Sequence, residues 1–184
     1  ASLVDKYLAV LNSHPLKTKM ATQGLQMLLS DLLAQKISGS KNICLLRLLK
    51  FTFWGVGIGA PISHYYYSHF LTKSFNYGGM KETIVRLLFD QLVFAPAILS
   101  LFLNYMALFD SKNLKKNFKE ALMQLPSLML ANWKLWPLCT ILQLIFFGEH
   151  TATIFGIFVG FIWGLYMSIS QARKSKKPDN EDKV

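Results

Sequence analysis

The chain has 184 residues, a length that fits one domain, with 52% hydrophobic and 16% charged residues and a formal net charge of +10; its mean hydropathy is +0.31. A soluble domain usually carries about a quarter charged residues, so the composition argues against an ordinary water-soluble globule. The positive charge does not mark a nucleic-acid partner either. Lys and Arg cluster beside the apolar runs (Lys36, Lys41, Arg47, Lys50; Lys112, Lys115, Lys116, Lys119; Arg173, Lys174, Lys176, Lys177), where such side chains meet lipid headgroups.

Residues 3–13 read as a short amphipathic helix at the membrane surface, with Leu3, Tyr7, Val10 and Leu11 on one face. It ends at His14-Pro15, because the residue before a proline is pushed out of the helical region. No cleavable signal is visible in this stretch. The first candidate span, 18–37, is the most polar: Gln23, Gln26 and Ser30 form a strip that Asp31 and Gln35 continue. Ser38-Gly39-Ser40 marks a turn.

The second span, 48–71, carries Gly55 and Gly59 at the four-residue spacing that lets helices pack closely in lipid. Pro61 is expected to kink it midway, and the ring cluster from His64 through Tyr67 to His69 suits a headgroup boundary. After the Asn76-Tyr77-Gly78-Gly79 loop comes a third span, 83–109, with Asp90, Gln91, Pro96 and Asn104. Asp110 to Lys119 reads as a basic connector. In 120–147, Pro126 and Pro137 break the pattern and Lys134 interrupts the apolar run. This segment reads either as a kinked further span or as an interfacial helix.

The last span, 151–172, has no Asp, Glu, Lys, Arg, His or Pro. Ala152, Gly156, Gly160, Gly164, Ser168 and Ala172 recur every fourth residue and form a ridge of small side chains, which reads as a packing spine for a neighbouring helix. The expected architecture is an all-α integral membrane bundle of about four transmembrane helices, one domain over 1–172, followed by a charged, disordered tail at 173–184.

Ionisable groups inside a bilayer are costly and usually face the bundle interior or a water-filled path. Asp31, Gln35, His64, Asp90, Gln91, Asn132 and Lys134 are therefore the candidate pore-lining or helix-locking residues. For Asp90 the alternative is a peripheral pair with Arg86 at i−4. Tyr67, Trp133, Trp136, Trp163 and Tyr166 are candidate interfacial aromatics. No catalytic residue is expected. A membrane aspartyl protease needs two carboxylates sharing a proton, and neither Asp31 nor Asp90 sits in a glycine-rich catalytic setting. Nucleophile-elbow, phosphate-loop, dinucleotide and zinc-protease motifs are absent. Cys44 and Cys139 form no CxxC or ligand spacing, so neither a disulfide framework nor a metal site is expected.

Several motifs resemble the Mpv/peroxisomal membrane protein family, over about residues 4–172. HPLKTK at 14–19, SD at 30–31 and AQKISG at 34–39 are similar to its plant peroxisomal member. APISHYYY at 60–67, DQLVFAP at 90–96, WKLWP at 133–137 and Trp163-x-x-Tyr166 are similar to its other signatures. The chain departs from the family after WKLWP, with Thr140, Gln143-Leu144, Gly148 and Ala152 where the family has Gln, Asn-Phe, Pro and Arg. The resemblance implies a small four-span organelle membrane protein that passes small solutes or metabolites, without a cofactor. It favours the peroxisomal membrane, with the mitochondrial inner membrane as the alternative. A structural scaffold is the competing role. The expected partners are the lipid bilayer, small solutes and a second copy of the chain.

Overall fold

The computed structural model describes residues 2–40, 42–109 and 113–176. Lys41, Lys112 and the end of the expected tail, 177–184, lie outside the described residues. Six helices account for nearly all of the rest, and there is no strand among the described residues. Helix α1 is Leu3–Ser13 and α2 is Pro15–Ile37. Helix α3 runs over Leu45–Ser74 and α4 over Gly79–Ala107. Helix α5 is Leu114–Phe146 and α6 is Glu149–Lys176. The contacts gather into two compact units, Ala1–Ala60 with Thr153–Val184, and Pro61–Ala152.

The ends of α1 follow its sequence. Ser2 accepts from the Asp5 amide while Asp5 accepts from the Ser2 amide, a reciprocal cap that satisfies two otherwise orphaned donors. Leu8 is the residue of α1 that becomes buried, and Tyr7 Oη bonds Thr22 Oγ1 on α2 at 3.0 Å. Leu3, Val4 and Val10 remain exposed, an apolar edge suited to lipid. Helix α2 closes on Gly39, whose φ of 72° lies in the left-handed region that favours glycine.

The four prolines within the long helices are accommodated in two ways. Pro61 and Pro96 each follow a π-type turn, Trp54–Gly59 and Asp90–Phe94. Ala60 donates to Gly55 O and Ala95 to Asp90 O, each five residues back. The wider turn makes room for a ring that would otherwise meet the carbonyl four residues earlier. Pro126 and Pro137 do not break α5, which is continuous for 33 residues. Packing against α4 sustains it, with Asn117 Nδ2 on Ala107 O and Asn132 Nδ2 on Gln91 Oε1. Prolines are tolerated in membrane helices where neighbouring groups support the backbone.

Among the described residues, three helices are long and apolar enough to cross a membrane: Leu45–Ser74, Gly79–Ala107 and Thr151–Ala172. The first expected span, 18–37, is the one that drops out; its helix is long enough but carries Lys17, Lys19, Asp31 and Lys36 among its glutamines. At the other end, α6 continues through Lys176, so 173–176 extend the last helix where the sequence suggested a disordered tail.

Candidate functional site

Within the first unit, α2 lies between two glycine-bearing helices. On the α3 side, a methyl placed on Gly55 would stand 2.7 Å from Gln23 O and 3.0 Å from Met27 Cγ, and one on Gly59 would stand 3.0 Å from Gln23 Nε2. Gly24 of α2 meets the Val56 side chain, which leaves no room for a Cβ. On the α6 side, Gln26 Nε2 donates to Ile157 O at 2.5 Å and Ser30 Oγ to Phe161 O at 2.9 Å. Each acceptor precedes a stripe glycine by three residues. A Cβ on Gly160 would lie 2.9 Å from Gln26 Nε2, and one on Gly164 2.8 Å from Ser30 Oγ. The glycines thus open backbone carbonyls of α6 to the polar strip of α2. Gly156, on the same ridge, is half-buried.

Further along the same seam lies Asp31, completely buried. Arg47 Nε approaches its Oδ1 to 2.8 Å; the N–H does not point along that line, so the contact is an ion pair and not an aligned hydrogen bond. Arg47 Nη2 donates to Ser168 O at 2.7 Å and to Ser168 Oγ at 2.5 Å. Ser168 Oγ donates onward to Asp31 Oδ1 at 2.6 Å. Gln35 Nε2 donates to Asp31 Oδ2 at 2.7 Å, while Gln35 Oε1 accepts from the Cys44 amide at 2.6 Å. Three helices and the α2–α3 turn therefore converge on one carboxylate whose charge is balanced and whose two oxygens are both engaged. That is what a buried ion requires. Sequence reasoning saw Arg47 as a lipid-facing cation and Ser168 as merely small.

The second unit has its own polar cluster. Tyr67 Oη donates to Asp90 Oδ1 at 2.6 Å and Gln91 Nε2 to Asp90 Oδ2 at 2.8 Å. Buried Gln91 accepts from Asn132, also buried, at 2.7 Å. Trp133 Nε1 donates to Gln91 O at 3.1 Å. This last bond follows from the proline: Ala95 already donates to Asp90 O and residue 96 has no N–H, so the Gln91 carbonyl needs an outside donor. Tyr66 stacks on Phe94 with centroids 3.6 Å apart and planes at 4°, joining the end of α3 to the same turn of α4. Its hydroxyl is buried with no hydrogen-bond partner among the described residues.

Asp90 is partly exposed, and no cation lies within ion-pair distance of it among the described residues. The alternative pair with Arg86 does not form. Arg86 instead bonds Glu82 at 2.5 Å and donates to Phe75 O.

The remaining expected residues scatter. His64 is buried, 3.4 Å from Ser68 Oγ and edge-on to Tyr65 and His69. Lys134 is exposed on α5 between exposed Trp133 and half-buried Trp136. Trp163 is buried halfway along α6, stacked on exposed Tyr166 at 5.4 Å, and Tyr67 is exposed. No group of three His, Cys, Asp or Glu among the described residues suits a metal ion.

The helices and their buried polar seams define a polytopic α-helical membrane protein. Residues 107–168 match the Mpv17 / PMP22 family. The chain is 36% identical over 169 residues to PXMP2/4 family protein 3 of Dictyostelium discoideum, covering 91% of this chain and 90% of that one. It is 27% identical to the peroxisomal membrane protein PMP22 of Arabidopsis thaliana, over 90% of this chain and 88% of the relative. It is 25% identical to the mitochondrial inner membrane protein Mpv17 of Xenopus laevis, over 91% and 96%. The chain belongs to the Mpv17/PMP22 family. The more similar relatives place it in the peroxisomal membrane, and the more distant ones add the mitochondrial inner membrane as the alternative. No solved structure shows significant similarity to it.

Proposed function

We propose that the chain forms a channel-like path for small solutes across the peroxisomal membrane, without catalysis and without a cofactor. Residues 1–172 act as one membrane domain in this reading. The observation that carries it is Asp90: a carboxylate on an apolar helix, partly open, held by Tyr67 and Gln91 and by no cation among the described residues. An ionised group facing acyl chains is expensive, so its open side calls for water or a passing solute. Gln91 and Asn132 supply donors and acceptors beside it, and His64 and Lys134 add polar groups to the same path. The mixture of charges argues against a sharply ion-selective ring. Conductance of the purified protein in planar bilayers tests the proposal. Discrete currents support it, and silence across several lipids and voltages removes it.

The second reading is a scaffold, and the Asp31–Arg47–Ser168 cluster favours it. Charge-balanced, with Asp31 and Ser168 fully buried and Arg47 partly so, that cluster can fix helix register without any transport.

A further inference from the structure

We propose that Asn132 and Trp133, neighbours on α5, are positioning residues for Asp90. They hold Gln91 by its side chain and by its backbone, turn its amide N–H onto the carboxylate, and so fix the face that Asp90 presents to a passing solute. The inference rests on the reading of Asp90 as the wall of a solute path. All four residues lie in the unit Pro61–Ala152.

The charge at one end of the network dictates the direction of every bond in it. An ionised carboxylate only accepts. Of the two ends of the Gln91 amide, Nε2 alone can therefore face Asp90, and it does so at 2.8 Å from Oδ2. The Gln91 Oε1 atom is thereby turned away and requires a donor, which Asn132 Nδ2 supplies at 2.7 Å. Gln91 and Asn132 are only 7% and 4% exposed, so no bulk water stands ready to replace a lost partner. Without the Asn132 donor, the Gln91 amide gains by leaving Asp90 for an orientation that pairs its oxygen. With that donor in place, each bond polarises the next.

The backbone is held from the same helix. The π-type turn Asp90–Phe94 gives Asp90 O to the Ala95 amide, and Trp133 Nε1 occupies Gln91 O at 3.1 Å. Both carbonyls at the root of the two side chains are thus fixed. The hold from α5 adds what Tyr67 cannot supply alone. Tyr67 donates to Oδ1, and a carboxylate held by one oxygen can still swing about that bond. A second donor on Oδ2 stops the swing, and that donor is the one Asn132 and Trp133 set in place. A polar group held by supporting hydrogen bonds keeps its geometry when a ligand arrives.

The test uses the full chain in detergent with aspartate labelled by carbon-13 at the side-chain carboxyl. The Asp90 resonance is assigned by its loss in Asp90→Asn. Asn132→Leu nearly keeps the volume and removes the donor; Trp133→Phe keeps a ring and removes the N–H. Both are expected to shift the Asp90 resonance, Asn132→Leu by more, and to leave the Asp31 resonance in place. A folded Asn132→Leu with a lower melting temperature and an unmoved Asp90 resonance would make the residue a fastener of α4 to α5 and overturn the proposal. Should Asn132→Leu fail to fold, Trp133→Phe at an exposed indole decides in its place: a shift supports the proposal and an unmoved resonance overturns it. In planar bilayers, Asn132→Leu should change the reversal potential in the parent background and leave it unchanged in the Asp90→Asn background. An equal change in both backgrounds would mean that Asn132 does not act through Asp90, and would overturn the proposal. A parent protein that passes no current would remove the solute path, and the resonance would still decide whether Asn132 and Trp133 hold the carboxylate.

Discussion

Asp31 and Asp90 are two carboxylates on helices of one chain, and their surroundings differ in kind. Asp31 is shut away, with Arg47 beside it and Ser168 and Gln35 donating to it. Asp90 is partly open and held by neutral donors, Tyr67 and Gln91. A sealed and neutralised carboxylate suits a fastener between helices. An open carboxylate with no ion-pair partner in the described structure suits a wall that something polar passes. In the sequence it is Asp90 that has a basic residue four positions away, Arg86, and the fold reverses that expectation. What separates them is where the nearest cation is, and that is decided by folding.

The strongest way to break this contrast is to strip the first carboxylate of its partner. Arg47→Ala leaves a buried, unpaired charge and is expected to cost about 3–5 kcal/mol, read as a fall in melting temperature in detergent. Replacing both partners, Asp31→Leu with Arg47→Met, should recover most of that loss, because no charge is then left buried. If Arg47→Ala melts like the parent, the fastener reading of Asp31 is wrong.

Next in size are the glycine contacts of the same seam. Gly55→Ala pushes against Gln23 backbone, which cannot swing aside, and should cost about 1–3 kcal/mol as an overpacked site. Gly160→Ala meets only the end of the Gln26 side chain, and should cost about 1 kcal/mol, the worth of the hydrogen bond it displaces. Denaturant midpoints of the two variants give the order directly; an inverted order would mean that α6, not α3, presses harder on α2.

These contacts mark what the sequence could and could not reveal. The four-residue ridge of α6 and the polar strip of α2 were both legible, because each is a periodic pattern on one helix. Their meeting is an inter-helix event, yet it could be expected, since small residues and side-chain donors complement each other in lipid. Arg47 could not be matched to Asp31 in this way. The pair spans the α2–α3 turn, outside the i±4 window in which helix neighbours are sought, and a basic residue near a span end has a ready explanation as a headgroup contact. Ser168 was hidden by its size: a small residue in a small-residue ridge gives no sign that its hydroxyl matters. The prolines misled for a related reason. Pro126 and Pro137 are breakers by local rule, but α4 supports α5 from outside. The Trp133 bond to Gln91 O depends on a π-type turn that no residue pattern announces.

The smallest stability effect is expected at the second carboxylate. Tyr67→Phe removes one donor from a group that keeps Gln91 and an open side, and should shift stability by about 1 kcal/mol or less. Its effect should appear in conductance, where an unbraced Asp90 changes the current. A large loss of stability with unchanged current would make the cluster a second fastener.

The contrast between the two carboxylates meets its most direct test in single-channel recording of Asp90→Asn beside the parent protein, both shown to be equally assembled by size-exclusion chromatography. The account predicts that the parent conducts and that Asp90→Asn alters conductance or ion preference with its assembly intact. Identical currents from the two proteins, or loss of assembly as the sole effect of the substitution, would contradict it.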